Sequence, residues 1–304
     1  VGRPVRAVVL REVDGDLDVE EIPEPEGQTL IDVRAAGINF ADVLIRRGRY
    51  PQMPDLPHVL GSEVAGDRGG KRVMALPRHS AGGYAEHVAV DPEWTFELPP
   101  QATYAEGASF LMTFLTAFIP LARLVRVTPE STVLVHAGSG GVGLAAIQVA
   151  RFIGARVLAT ASTDDKRAFA IEHGADEALP YETLDDIRVD VVFDCVGGDV
   201  FAQSLKVLNP LGAIVAIGFA GGLWRPLDPA LVVGRNISVV GFYLGRLMRL
   251  RPDYVQECAR ELTALWTRGE FRPVVGAEFP LERASDAHAL IEARKHVGKV
   301  VLVP

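Results

Sequence analysis

The spacing of apolar residues changes character near residue 113. Before it, short apolar runs at 6–10, 30–35, 73–75 and 85–90 are separated by Pro and Gly. That pattern predicts a β-rich, barrel-like unit, with one helical segment over 39–47. Residues 57–66 (PHVLGSEVAG) predict a tight Gly-flanked turn, and GDRGGKRVMAL predicts a short hairpin. Beyond 113, strand and helix alternate. Apolar runs at 132–136, 156–160, 189–193, 213–217 and 237–242 read as strands, several of them covered on both faces. The first helix reads as 144–152, and the second starts after Thr163 as N-cap and stops at Gly174. Such alternation predicts a doubly wound parallel sheet. After 246 the chain reads as helix through Leu265, then returns to strands at 274–279 and 297–303. The expected fold is α/β, with domains 1–112, 113–245 and 246–304, the last rejoining the first.

Between the first strand and first helix of the middle domain stand Gly138, Ser139, Gly140, Gly141, Val142 and Gly143. Glycine lets a backbone approach a ligand closely, and a helix N-terminus favours an anion. A dinucleotide's pyrophosphate sits at such a junction in a doubly wound sheet. An NAD site places a carboxylate at the tip of the second strand. Here RVLAT runs into Ala161 and Ser162, with Lys166 one turn on. A hydroxyl and a cation suit a 2′-phosphate instead. Asp164 and Asp165 leave two readings open: first-turn acids stabilised by the macrodipole, or a displaced acceptor for a 2′-hydroxyl. Ligands lie beyond the carboxyl ends of parallel strands, which adds Val196, Gly197, Gly218, Phe219 and Phe242. Phe219 equally suits a core.

Composition narrows the partners. A net charge of −8 argues against nucleic acid, and the basic run Arg246, Arg249 and Arg251 reads as solvated surface or a subunit contact. Two cysteines, Cys195 and Cys258, are too few for a disulfide framework or a four-cysteine zinc lobe. Cys195 reads as a small buried residue at a strand end, and the usage fits a reducing cytoplasmic setting. The chain begins at Val1, and no signal peptide is apparent. The longest apolar stretch, 110–122, contains Thr113, Thr116 and Pro120 and reads as too short for a bilayer, so no membrane partner is expected.

Six segments fall in a specific order: AAGINFADVLIRRGRYP (35–51), LGSEVAG (60–66), GGYAEHVAV (82–90), FLTAF (114–118), HAGSGGVGLAAIQVA (136–150) and GKVVLVP (298–304). With them the chain resembles the quinone oxidoreductase (zeta-crystallin-like) branch of the medium-chain dehydrogenase/reductase superfamily. The resemblance implies a Rossmann domain inserted into a chaperonin-10-like β-barrel catalytic domain. It implies NADP as cofactor, with Ser162, Lys166, Tyr181 and Arg294 around the 2′-phosphate and Thr116 beside the nicotinamide. It also implies a homodimer pairing through 236–242. Zinc-dependent relatives place cysteine where Asn39 stands and histidine where Ser62 stands; amide and hydroxyl oxygens are poor zinc ligands. No metal is therefore expected, and Glu63 is expected to brace local backbone or side chains.

Without a Lewis acid, the acceptor must take hydride readily. The expected reaction is reduction of a quinone by NADPH, and the alternative is reduction of an enone or enoyl substrate. A third reading, from another class, is a cofactor-binding structural or regulatory protein of the zeta-crystallin type. Catalytic candidates are Asn39, Asp42 and Tyr50. Asn39 and Asp42 share one face of a helical turn. Asn39 would bond a substrate carbonyl or the nicotinamide ribose. Asp42 would orient neighbours, cap the helix or pair with Arg46. Tyr50 would donate to a forming oxyanion or pack as an aromatic.

Overall fold

The protein is described by a computed structural model covering residues 3–77 and 82–304; Val1 lies outside the described residues. The chain divides into two compact units: Val1–Met112 with Arg249–Pro304, and Thr113–Met248. The return to the first unit falls at 248/249 rather than 245/246.

The strands are β1 (Val5–Leu10), β2 (Leu17–Ile22), β3 (Thr29–Ile38), β4 (His58–Val59), β5 (Val64–Arg68), β6 (Lys71–Ala75), β7 (His87–Val90), β8 (Thr95–Glu97), β9 (Thr132–Val135), β10 (Arg156–Thr160), β11 (Glu177–Leu179), β12 (Val189–Asp194), β13 (Leu208–Ala216), β14 (Ser238–Gly241), β15 (Val275–Pro280) and β16 (Lys299–Val303). The helices are α1 (Phe40–Arg46), α2 (Tyr104–Gly107), α3 (Leu111–Phe118), α4 (Gly141–Ile153), α5 (Asp164–Glu172), α6 (Gly198–Val207), α7 (Pro229–Arg235), α8 (Leu244–Leu250), α9 (Pro252–Thr267) and α10 (Ala284–Glu292).

In the first unit a larger sheet runs β15-β16-β3-β5-β6-β8, with β7 also on β3, and a smaller one runs β2-β1-β4. Along the first half of β3, buried and exposed residues alternate, as for a strand with one face inward. Ile31, Val33, Leu60, Val64, Tyr84, Val300 and Leu302 close the core. The predicted hairpin joins β5 to β6 through Gly69 (φ +53°) and Gly70 (φ +80°). Two consecutive positive φ values fit a turn whose twist matches the flanking strands.

In the second unit the order is β11-β10-β9-β12-β13-β14, every pair parallel. The order reverses between β9 and β12, which places a ligand crevice beyond their carboxyl ends. Thr163 caps α5 by accepting the Lys166 amide proton at 3.3 Å, and Gly174 follows the helix at φ +112°. Strand β11, short and only partly buried, is the third strand expected just before Tyr181. Two sequence expectations are corrected. The helix after 246 is two helices, because Pro252 has no N–H to continue α8 and instead opens α9. The apolar stretch near 110–122 belongs to a helical run, Tyr104–Leu124, long and apolar enough by length and composition to cross a bilayer; 72% of its most apolar window is buried inside the protein.

Candidate active site

The second unit gathers its candidates along the carboxyl edge of one sheet. Gly138 follows β9, Ser162 follows β10, Tyr181 follows β11, Val196 follows β12, Gly218 and Phe219 follow β13, and Phe242 follows β14. The turn itself is tightly built. Gly138 donates to Thr160 O at 2.9 Å, and Gly140 to Ala137 O at 3.0 Å. A Cβ at Gly143 would lie 2.2 Å from the Ala137 carbonyl oxygen, and one at Gly138 would lie 2.7 Å from Ala159 Cβ. Only glycine fits at either. Leu144 is the first amide of α4 with a carbonyl partner, Gly140 O at 2.8 Å. The amides of Gly141, Val142 and Gly143 precede it in the first turn, where a helix has no internal partner to offer, an arrangement that suits an anion.

At the tip of β10, Ser162 is exposed and Lys166 sits in the first turn of α5. Asp164 pairs with Arg167 on its own helix, as a first-turn acid does, and Asp165 is exposed. Arg167 was not singled out from sequence; it also donates to the Ala161 carbonyl at 3.1 Å. Tyr181 lies behind the glycine turn, its hydroxyl accepting the Ala137 amide proton at 3.2 Å. Thr116 is half-buried in α3. Arg294 belongs to the first unit, exposed just past α10 with φ +54°.

After β12, buried Asp194 accepts from the amides of Val196 (2.8 Å) and Gly197 (3.0 Å) and so fixes that turn. Burial raises its carboxyl to about 6, and those amides oppose the rise. The Cys195 thiol is pushed up to about 12, by burial first and by Asp194 second, and is no nucleophile at neutral pH. Phe219 is half-buried and meets Trp224 edge-on, centroids 5.0 Å apart. Phe242 is corrected: its ring is buried in the core, and what it presents at the strand end is backbone, its amide bonding Ala216 O at 3.0 Å.

The first unit contains a second cluster. Asn39 follows β3 and caps α1, and Ser62 and Glu63 lie just before β5. Lys299 opens β16, which pairs antiparallel with β3. Its buried ammonium donates to Ile38 O (2.9 Å), Asn39 Oδ1 (2.8 Å) and Glu63 Oε1 (2.6 Å). Glu63 Oε2 accepts the Met112 amide at 3.1 Å. Glu63 thus braces backbone, as expected, and also faces a cation that sequence reasoning did not assign. The only available signal was a lysine leading an apolar strand, VVLV. Among the described residues, no three His, Cys, Asp or Glu side chains converge as a metal site would require.

An ammonium accepts no hydrogen bond, so Asn39 must turn Oδ1 toward Lys299. Its Nδ2 then donates to Ser62 Oγ (2.9 Å) and Glu63 Oε1 (3.2 Å). Both amide protons are spent. Of the two expected partners, a substrate carbonyl would need a donor that Asn39 no longer has, whereas a ribose hydroxyl would need only its remaining lone pair. Asp42 takes the orienting and capping role that was one of its expected readings. It is 1% exposed, and its oxygens accept from the Asn39 amide (2.8 Å) and the Gly61 amide (3.4 Å). That removes it from substrate contact and leaves it a positioning role. Burial raises its carboxyl to about 6 against the pull of those amides and of Lys299. Arg46 does not pair with it; its guanidinium donates to Gly15 O at 3.0 Å. Tyr50 is half-buried against the first unit's core.

A glycine turn at the switch point of a parallel sheet, on a chain that also builds the β-rich unit, defines a nucleotide-dependent dehydrogenase. Comparison agrees: residues 25–100 match the alcohol dehydrogenase GroES-like domain and residues 141–263 match the zinc-binding dehydrogenase family. The chain is 32% identical to quinone oxidoreductase-like protein 2 of Bos taurus, covering 99% of this chain and 93% of that one. It is 34% identical to the synaptic vesicle membrane protein VAT-1 homolog of Homo sapiens, covering 91% and 79%. Among solved structures, the quinone oxidoreductase of Thermus thermophilus, also determined with NADPH, superposes with a TM-score of 0.89 at 36% identity, covering 98% and 100%. The chain belongs to the medium-chain dehydrogenase/reductase superfamily, in its quinone oxidoreductase branch.

Proposed function

We propose that this oxidoreductase uses NADPH to reduce a quinone and works without zinc. The observation that carries the reading is the Lys299 ammonium. It already neutralises Glu63 and ties Asn39, which stands where zinc-dependent relatives place a cysteine ligand. NADP is supported by the NADPH complex of the Thermus neighbour and by the local chemistry: a glycine cradle, a β10 tip with no carboxylate, and Ser162 and Lys166 beside it.

Bound NADPH supplies a hydride from its nicotinamide ring. The amides of Gly141, Val142 and Gly143 would hold the pyrophosphate, and Ser162, Lys166 and Arg294 the 2′-phosphate. Thr116, Val196, Gly218, Phe219 and the backbone of Phe242 would line the rest. Asn39 would accept from a ribose hydroxyl, held in that orientation by Lys299, with Asp42 fixing the turn beneath it. Tyr50 would donate to the oxygen that gains charge on the acceptor. With no Lewis acid, only an acceptor that spreads this charge reacts at a useful rate, and a quinone does so.

We further propose a homodimer through β14. This strand ends the sheet, and an unpaired edge invites a second strand. Helix α7 beside it in sequence has no buried residue, and Leu223 and Val233 are each 76% exposed.

The test is NADPH oxidation with 1,4-benzoquinone, 9,10-phenanthrenequinone and trans-2-enals. Turnover of the quinones supports the proposal. Turnover of enals alone moves the assignment to an enone reductase, and tight NADPH binding without any turnover refutes a reductase.

A further inference from the structure

From the end of β10 into the first turn of α5 the chain reads Ala161, Ser162, Thr163, Asp164, Asp165, Lys166 and Arg167. Two acids and two bases thus stand beside the strand tip where a carboxylate would mark an NAD site. No role above falls to Arg167.

The Arg167 side chain is 20% exposed and makes two contacts at once. Its Nη1 donates to the Ala161 carbonyl at 3.1 Å, and its Nη2 pairs with Asp164 Oδ1. An ion pair made only along a helix would not reach back to the strand. This guanidinium does, and it therefore holds the Asp164 carboxylate within its own reach of the strand tip. The backbone beneath is fixed as well. Thr163 accepts the Lys166 amide proton with its hydroxyl at 3.3 Å and the Arg167 amide proton with its carbonyl at 3.0 Å. Ala161 is held at both ends, since its own amide donates to Leu179 O at 3.2 Å. A peptide is planar and trans, so fixing the Ala161 carbonyl also fixes the direction of the Ser162 N–H.

The two coenzymes differ at this place. NADPH presents a phosphate of nearly two negative charges, and NADH presents a hydroxyl. The Asp164 side chain is 95% exposed and stands two residues past Ser162. Left unpaired, its carboxylate would repel the phosphate and accept from the hydroxyl. Both effects select NADH. Arg167 neutralises that charge and occupies one of its oxygens. Exposed pairs at this spacing contribute little to stability, so the consequence of this one lies in where it stands.

We propose, on the NADPH reading above, that Arg167 sets coenzyme preference by masking Asp164, an acid that would otherwise favour NADH at the tip of β10. Arg167 acts through Asp164 and is a positioning residue, whereas Lys166 faces the phosphate by its own charge.

The test measures Kd for NADPH and for NADH by fluorescence titration of wild type, R167Q, R167K, D164N and D164N/R167Q at low salt. Glutamine keeps a donor for the Ala161 carbonyl and loses the charge. R167Q should lower the affinity for NADPH relative to NADH by about fivefold to tenfold, as one exposed charge acting on two would at several ångströms. The loss should shrink at about 0.5 M salt. R167K should stay within about twofold of wild type, because the charge remains. In the D164N background, replacing Arg167 by Gln should change the ratio by less than about twofold, because no carboxylate is left to unmask. An equal loss in both backgrounds means that Arg167 meets the phosphate directly and overturns the proposal. Equal weakening of both coenzymes in R167Q, or a loss in R167K as large as in R167Q, also overturns it. Wild type binding the two coenzymes equally refutes the NADPH reading itself. Wild type preferring NADPH, with that preference intact in R167Q, refutes the masking alone.

Discussion

Substituting Lys299 by Met removes an ammonium from between Ile38 O, Asn39 Oδ1 and Glu63 Oε1. The side chains of Lys299 and Glu63 are 6% and 1% exposed, so water cannot replace the lost partner. Removing one member of a buried pair costs about 3–5 kcal/mol, because the other charge is left uncompensated. Glu63 would still accept from the Met112 amide and Asn39 Nδ2, which puts the expected cost near the lower end, about 3 kcal/mol. The double variant K299M/E63Q removes both charges at nearly constant shape and should come within about 1–2 kcal/mol of wild type. Urea unfolding at neutral pH, followed by tryptophan fluorescence, measures all three proteins. A K299M cost under about 1 kcal/mol, or a double variant no more stable than K299M, would refute the reading of Lys299 and Glu63 as a buried, mutually dependent pair.

The remaining predictions concern coenzyme, acceptor and pH. K166A/R294A should erase most of the preference for NADPH over NADH, since each charge-assisted bond to a phosphate contributes about 1.5–3 kcal/mol; an unchanged ratio of kcat/KM values removes both residues from the site. Y50F should lower kcat with a quinone by about 100-fold at saturating substrate, and a wild-type kcat excludes Tyr50 as the donor. Asp42, held at about 6 against an ordinary 3.8, keeps its proton longer in the folded protein than in the unfolded chain. Its contribution to stability is therefore full below the unfolded value and is lost as pH rises through about 6. D42N lacks that contribution, so wild type should gain about 2 kcal/mol over it as pH falls from about 6 to about 4; parallel stability curves would contradict the burial effect.

The glycine turn was legible because its demands are local. An added Cβ would come within 2.2 Å of the Ala137 carbonyl oxygen at Gly143 and within 2.7 Å of Ala159 Cβ at Gly138, and that requirement is written as glycine in the sequence. The start of α5 was legible for the same reason, through the Thr163 cap. The Lys299 cluster was not, since Lys299 and Glu63 stand 236 positions apart and meet only because β16 pairs with β3 and β3 with β5. The buried contact between His136 and Thr160 depends likewise on parallel register: with Val135 opposite Ala159, the next residues become neighbours, 2.8 Å apart through Nδ1 and Oγ1. Asn39 and Asp42 were located by spacing, but which of their protons and lone pairs stay free depends on partners that no local pattern reveals.

The central claim is catalysis by a coenzyme and side chains without a metal. Its most direct test is quinone-dependent NADPH oxidation by protein exhaustively treated with chelator, with metal content measured on the same sample. The expected result is the untreated rate at a metal content far below one ion per chain. A lost rate that returns on adding stoichiometric Zn²⁺ would contradict it.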